Sequence, residues 1–414
     1  MTNVTTRRPV ASAASITLVA LSIGLAALSW PSRALGAAPP SLDVRAAALI
    51  EAGTGQQLYG MNSGGELAIA STTKLMTALV TLQHTKLSEV FADPAYYPAS
   101  VDSQIDLEPG ERMSVHDLLI AMLLPSADDA AEDLAYNVGR RSVNRFIAMM
   151  NADARALGLE HTHYSTPIGL DTPGNYSTVS DLVALARYLL RTQPFFRRVV
   201  DLPSAVLRTG NHVRVVANLN DLVGTVPWIN GVKTGHTLDA GYVLVGSGTQ
   251  RGMTLISAVL GAPSEYARES DTLVLLQWGF HNFRTLTAVS AGRVIARRSV
   301  KGWPQLRADL IAAATFTHVF ARATSVRTVV TAPRELTGPK PWHAVVGSVV
   351  VLANGVPVAR VPLLLAHALP AAPASLMARL IFGPFTLVVL ALLLGCALLW
   401  RARLRASGAR RRPA

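Results

Sequence analysis

Lysine is scarce in this chain, and the scarcity singles out residues worth attention. Lysine and arginine together number 38, of which only Lys74, Lys86, Lys233, Lys301 and Lys340 are lysines. A lysine kept against that trend marks a place where the cation must be compact or must surrender its proton, which a guanidinium does not do. Lys86, Lys301 and Lys340 sit in no pattern and read as chance survivors. Lys74 closes the run Ser71-Thr72-Thr73-Lys74. Residues three apart share a helix face, so the Ser71 hydroxyl and the Lys74 amine can meet. Burial disfavours an ammonium and lowers its pKa. A neutral Lys74 can then take the Ser71 proton and make the hydroxyl a nucleophile. Near a helix start, the dipole also steadies the developing negative charge.

Lys233-Thr234-Gly235 follows Ile229-Asn230-Gly231-Val232 and precedes an apolar run. A strand edge here suits pairing with an extended peptide. Gly235 leaves room for close approach, and Thr234 and Lys233 suit a terminal carboxylate. Ser126-Ala127-Asp128 lies between the two motifs, after the apolar stretch Leu118–Leu124. Each motif alone has a plainer reading. Ser-x-x-Lys also describes a capping serine and a surface lysine, Lys-Thr-Gly a surface turn, and Ser126 with its following acids a helix cap.

The elements that must position these residues are legible from periodicity. Val44–Glu51 and Gln57–Tyr59 read as paired strands around Thr54-Gly55. Helical spacing covers 71–83, 115–124, 130–137, 142–157 and 179–192, with Ser177 and Ser180 as candidate caps of the last. Gly231–Gly235, Gly241–Gly248 and Met253–Leu260 read as strands, and Thr272–Trp278 as a helix. This order predicts an α+β fold, an α/β sandwich with a mainly antiparallel sheet flanked by helices plus a helical lobe. Beyond residue 283 the texture is β: 289–294, 326–331, 348–352 and 356–361, with Asn354-Gly355 as a hairpin turn. The expected organisation is a catalytic domain over 44–282, a small β domain over 283–366 and a linker over 367–379.

The termini carry different signals. Arg7 and Arg8, an apolar run from Ile16 to Leu28, and Ala34-Leu35-Gly36-Ala37-Ala38 read as a secretory signal peptide over 1–37, against the alternative of an uncleaved anchor. Leu380–Trp400 has no charge and is long enough to span a bilayer, with a basic tail over 401–414. Basic flanks favour the cytoplasmic side, which places the remainder outside a cell membrane crossed once. The formal charge of +12 falls to +2 once the arginines of residues 1–36 and 379–414 are set aside, so the folded part lacks the basic excess of a nucleic-acid binder. The single cysteine, Cys396, lies in the span. The expected outer part therefore has no disulfide, thiol nucleophile or cysteine metal site. His161 and His163 read as structural. No metal or cofactor is expected.

Together, Ser-x-x-Lys, Ser-x-Asx and Lys-Thr-Gly, in this order, resemble the penicillin-recognising serine enzymes. The run from Ile69 to Thr77, the run from Gly231 to Thr237 with Ala240-Gly241-Tyr242, Gly169-Leu170-Asp171 and Asn218-Leu219-Asn220 are similar to the low-molecular-mass penicillin-binding proteins, the D-alanyl-D-alanine carboxypeptidases. The likeness covers about 44–282, with a weaker one over the β domain and anchor. It implies a penicillin-binding, serine β-lactamase-like fold acting on peptidoglycan stem peptides ending in D-Ala-D-Ala, with β-lactams as covalent inhibitors. It implies Ser71 as nucleophile, Lys74 as base and Ser126 as proton relay. Asp128, Lys233, Thr234, Gly235 and His236 would bind substrate, with the backbone N–H groups of Ser71 and His236 as the oxyanion hole. The related readings are a DD-endopeptidase using the same residues, a β-lactamase, which the anchor and β domain disfavour, and a scaffold weakened at position 128. The family usually has Asn where this chain has Asp128. The family's carboxylate-binding arginine has no clear match in the sequence, and Arg214 is the nearest candidate.

Overall fold

The computed structural model describes residues 38–96, 102–373 and 384–409. The secretory segment expected over 1–37 lies outside the described residues. In chain order, β1 (Ala46–Glu51) and β2 (Gln57–Met61) form a hairpin. A 3-10 turn, Ala70–Thr73, runs into α1 (Lys74–His84). The short pair β3 (Val90–Ala92) and β4 (Arg112–Ser114) leads to α2 (Val115–Leu123), α3 (Asp128–Val138) and α4 (Val143–Ala156). Next come α5 (Val179–Thr192), α6 (Pro194–Val200) and the ribbon of β5 (Ser204–Leu207) with β6 (Arg214–Ala217). β7 (Ile229–Thr237), β8 (Gly241–Gln250) and β9 (Met253–Ala262) then precede α7 (Glu265–Asn282).

The main sheet has the order β2-β1-β9-β8-β7 and is antiparallel throughout. Both its faces are buried, which explains the near-continuous apolar runs in β8 and β9. Successive side chains of a strand point to opposite faces. Ala46, Ala48 and Ile50 thus join the core shared with α1 to α5, while Ala47 and Leu49 pack with Leu275, Leu276 and Phe280 of α7. The helices start where the sequence offers side-chain caps: Ser114, Ser142, Thr178 and Ser264 each accept from a backbone N–H three residues on. Thr178, rather than Ser177 or Ser180, caps α5. The helix expected over 272–278 is far longer, because its first turns carry the charged run Arg268–Asp271, which hides the apolar stripe.

A second region follows α7: β10 (Phe283–Val289), β11 (Val294–Val300), β12 (Trp303–Ala312), β13 (Phe316–Ala321), β14 (Val326–Thr331), β15 (Glu335–Leu336), β16 (Val345–Ala353) and β17 (Val356–Leu365). Six of these form a sheet of order β14-β16-β17-β12-β11-β15 with its own core around Leu310, Val349 and Leu363, and β10 pairs with β13. Asn354 and Gly355 both take positive φ between β16 and β17, as a two-residue hairpin turn of this type requires. The strand expected over 289–294 is instead the end of β10, a turn and the start of β11. The side-chain amide of Gln56 clamps this region to the first hairpin. Its Nε2 donates to Val319 O at 3.2 Å, and its Oε1 accepts from Val319 N at 3.1 Å. Finally, α8 (Pro384–Ala409) contains a stretch, Thr386–Leu404, long and apolar enough to cross a membrane. Positions 380–383 of the expected span lie outside the described residues.

Arg214 clasps the segment that leads to α3. Its Nη1 and Nη2 donate to the two carboxylate oxygens of Glu111 at 2.7 and 2.9 Å, its Nε to Ile105 O at 2.8 Å and its Nη2 to Asp106 O at 3.1 Å. The Asp129 carboxylate in turn accepts from Ile105 N and Leu107 N, and Asp128 N donates to Ser103 O at 2.7 Å. Burial pushes the Glu111 carboxyl up, but Arg214 and the N–H groups of Asn211 and Glu108 outweigh it and bring it to about 2. Arg214 is therefore fully engaged as a structural group, which corrects its candidacy for substrate binding. Arg214→Met should leave a buried carboxylate unpaired and cost ~3 kcal/mol at pH 7 in urea unfolding. A depressed carboxyl stabilises the fold above the ordinary glutamate value and loses that contribution as pH falls toward about 2. The difference between the two proteins should therefore narrow from pH 7 to pH 3. A difference below ~0.5 kcal/mol, the scale of a neutral surface change, would remove the clasp.

Candidate active site

Ser71 lies in the 3-10 turn ahead of α1, and Lys74 is the first residue of that helix. Ser71 is half-buried, whereas Lys74 has 0% exposure. The Lys74 Nζ donates to Ser71 Oγ at 3.0 Å, Asp128 Oδ1 at 2.5 Å and Ile168 O at 2.8 Å. This set satisfies an ammonium, which has three donors. It equally satisfies a neutral amine that gives two N–H bonds and accepts the Ser71 proton on its lone pair. Burial holds Lys74 below its ordinary pKa, and Asp128 restores part of the loss. Burial likewise pushes Asp128 up, opposed by Lys74.

Four segments far apart in sequence make this enclosure. The loop 166–175 supplies Ile168 O, and its Pro167 O accepts from Thr77 Oγ1 while Asn175 Nδ2 donates to Thr73 Oγ1. The start of α3 supplies Asp128. Strand β7 closes the side nearest Ser71. At Gly235 a Cβ would fall 2.8 Å from Ser71 N and 3.0 Å from Ala70 Cβ, so any larger residue would push the strand off the turn that carries Ser71. Gly169 is subject to the same constraint: a Cβ there would meet the main chain of Ala70, and its φ is +96°.

Ser126 is not a helix cap. Ala127 occupies the N-cap position of α3 and no side chain caps it. Ser126 instead takes a φ of 65°, unusual for a residue with a side chain, and its buried Oγ has no hydrogen-bond partner among the described residues. Asn220 is similarly buried with both amide atoms unpartnered, on a segment tied to the Ser126 loop by Leu219 N donating to Leu124 O at 3.1 Å. Buried polar groups in native proteins nearly always find a partner, so such vacant valences fit a site that receives a ligand or water.

Lys233 is 1% exposed, and its Nζ donates to Thr234 O at 3.1 Å. Burial first, then the positive charges of Lys74 and Arg268, hold it well below its ordinary pKa, with Asp128 opposing. Thr234 is buried beside it. His236 is exposed, with its ring stacked on Tyr242 at 4.0 Å. The structure thus brings Ser71, Lys74, Asp128, Lys233, Thr234 and Gly235 into one neighbourhood and leaves the His236 ring outside the buried set. It also reveals a residue that the sequence reading missed. Arg268 of α7 is 3% exposed, bonds Glu265 and Glu269, and acts on Lys233. Its helix turn read as a charged surface, and only the sheet topology carries α7 back to β7. Among the described residues no cluster suits a metal ion.

A serine bonded to a buried amine, beside a buried cation and unpartnered hydroxyl and amide groups, can perform acyl transfer on a substrate bearing an anion. Comparisons with known proteins give the family. The family model for D-alanyl-D-alanine carboxypeptidase, peptidase S11, matches residues 33–264. The D-alanyl-D-alanine carboxypeptidase DacC of Escherichia coli (strain K12) is 32% identical over 348 residues, covering 78% of this chain and 84% of that protein. DacF of Bacillus subtilis (strain 168), of the same description, is 31% identical over 264 residues, covering 63% and 68%. The solved structure of penicillin-binding protein 5 from Haemophilus influenzae aligns with a TM-score of 0.67 at 28% identity, covering 80% of this chain and 99% of that one. The expected α+β architecture with a later β region and an apolar helix is the architecture found. By sequence and by fold, the chain belongs to the peptidase S11 family of serine D-alanyl-D-alanine carboxypeptidases.

Proposed function

We propose that the chain removes the terminal D-alanine from peptidoglycan stem peptides through an acyl-enzyme on Ser71. The observation that carries this is the fully buried Lys74 amine 3.0 Å from the Ser71 hydroxyl. Lys74 takes the hydroxyl proton as Oγ attacks the carbonyl of the penultimate D-alanine. The N–H groups of Ser71 and His236 receive the oxyanion, charge that exists only as the transition state forms. The C–N bond then breaks, the leaving amine takes a proton relayed through Ser126, and water hydrolyses the ester. Lys233 and Thr234 hold the terminal carboxylate. The catalytic unit over 44–282 sits outside the membrane, the β region over 283–366 stands between it and the bilayer, and α8 anchors both with its basic end inside.

The pairing of Asp128 with Lys74 supports a slow variant of this reaction. An amide at this position would both donate and accept, whereas a carboxylate only accepts and holds the proton on Lys74. The endopeptidase reading uses the same residues, and cross-linked against monomeric muropeptides distinguishes it.

Two measurements test the proposal. Incubation of the full chain in detergent with a penicillin, followed by peptide mass mapping, should show the intact drug added to the peptide containing Ser71. Ser71→Ala should abolish the adduct. An adduct that persists in Ser71→Ala, or none in the parent at any pH, would refute the nucleophile assignment. Asp128→Asn removes the carboxylate that favours the charged lysine. The acid limb of fluorescent-penicillin acylation should therefore move down by about one pH unit or more, with an increase of about tenfold at neutral pH. Superimposable pH profiles would show that Asp128 does not govern the base.

A further inference from the structure

We propose that the cleft beside the nucleophile turn is a subsite for a side-chain amine on the third stem-peptide residue, counted inward from the two D-alanines. This rests on the Ser71 reading above and extends it to substrate choice. The cleft holds about 320 Å³, within the range of small-molecule sites. Its walls are Ala68 and Ala70 on one side and Leu170 and Pro173 on the other, with Asp171 and Asp239 also lining it.

Its position along β7 assigns its occupant. If the terminal carboxylate sits at Lys233 and Thr234, and the reacting carbonyl between Ser71 and His236, an extended substrate running antiparallel to β7 advances inward toward Thr237 and the turn after it. Each residue of an extended chain covers about 3.3 Å. The residue preceding the acylated D-alanine therefore arrives at the turn bearing Asp239, opposite Asp171. These two elements are joined there, because Asp239 N donates to Asp171 Oδ2 at 3.0 Å. The Arg45 guanidinium is spent on the main-chain oxygen of Asp239, at 2.5 Å, and packs against Gly261. Neither carboxylate has an ion-pair partner among the described residues. A cleft lined by Ala68, Ile69, Ala70, Leu170 and Pro173, with polar Thr172 and Asn175 and two carboxylates outside any ion pair among the described residues, matches a methylene stem ending in an ammonium, and disfavours a carboxylate or an acylated amine of the same length.

The experiment compares two donors, Nα-acetyl-L-lysyl-D-alanyl-D-alanine with its ε-amine free and the same peptide with that amine acetylated. D-alanine release by the full chain should favour the free amine by about tenfold in kcat/KM, mostly through KM, and the preference should shrink with added salt. In the double variant Asp171→Asn with Asp239→Asn the ratio should fall to about one. Asparagine at 171 keeps the acceptor for Asp239 N, so a loss of preference reports charge rather than a broken turn. Calorimetric titration of Ser71→Ala with both peptides reads the same preference without turnover. Equal use and equal binding of the two donors by the parent, or a preference that survives the double variant, would overturn the subsite. Penicillin labelling of the parent separates the two claims. Labelling without amine preference removes the subsite and leaves Ser71, whereas absence of labelling with amine-selective binding removes Ser71 and leaves the subsite.

Discussion

A primary amine with no solvent contact is costly to bury, and the architecture around Ser71 is organised about it. Burying an uncompensated ammonium costs several kcal/mol even after relaxation. Lys74 is held there by three directed contacts, to a hydroxyl, a carboxylate and a main-chain carbonyl. Each partner comes from a different segment, so the amine is satisfied only when all of them have assembled. The chain therefore cannot hold the nucleophile pair without also holding the loop at 168 and the start of α3.

That dependence reaches distant elements. The start of α3 is fixed by Asp129 and by the segment 103–107, and the same segment is fixed by Arg214 from a ribbon more than a hundred residues later. β7, which carries Lys233, is an edge strand, and the sheet order ties it through β8 and β9 to β1 at the start of the domain. The nucleophile turn touches β7 at a glycine because the two main chains pass too closely for a side chain. Long-range closure of this kind places the ends of the fold under the same constraint as its centre.

The local half of this was legible in the residues. Val326–Thr331, the hairpin at Asn354-Gly355 and α5 are where periodicity and turn chemistry put them: α5 buries one stripe, and the hairpin turn needs positive φ. The motif serine and lysine at 71 and 74 meet as their spacing requires. What stayed hidden is whatever depends on topology. Arg268 reads as one charge in a solvated run until α7 is laid on the sheet, and Arg214 reads as a plausible anion binder until its partners are seen to be Glu111 and two carbonyls. β12 escaped because only Ala308, Leu310 and Ala312 of its inward face are fully buried, while Pro304, Arg307 and Asp309 give it the texture of a loop. Ser126 looked like a cap because serine before two aspartates usually is one; its positive φ, invisible in sequence, turns it away from that role.

The charges also constrain the proposed reaction. Lys233 and Arg268 are nearly inaccessible basic groups; Lys74 and Arg268 oppose charge on Lys233, Asp128 favours it, and Glu265 and Glu269 bond Arg268. Burial and mutual repulsion hold Lys233 below its ordinary pKa. An arriving carboxylate reverses that balance, because an opposite charge at close range favours the ammonium. In the proposed reaction a substrate carboxylate beside Lys233 would therefore favour its charged form. Asp128 is then the one anion facing both lysines, and it stabilises the charged form of each. An amide at this position would remove the carboxylate acting on both lysines, leaving Asp102 and Asp129 as the acids that favour charge on Lys74. With a carboxylate, Asp128 favours the ammonium of both lysines, so the charge that would ready Lys233 for an anion also keeps Lys74 protonated and weakens it as a base.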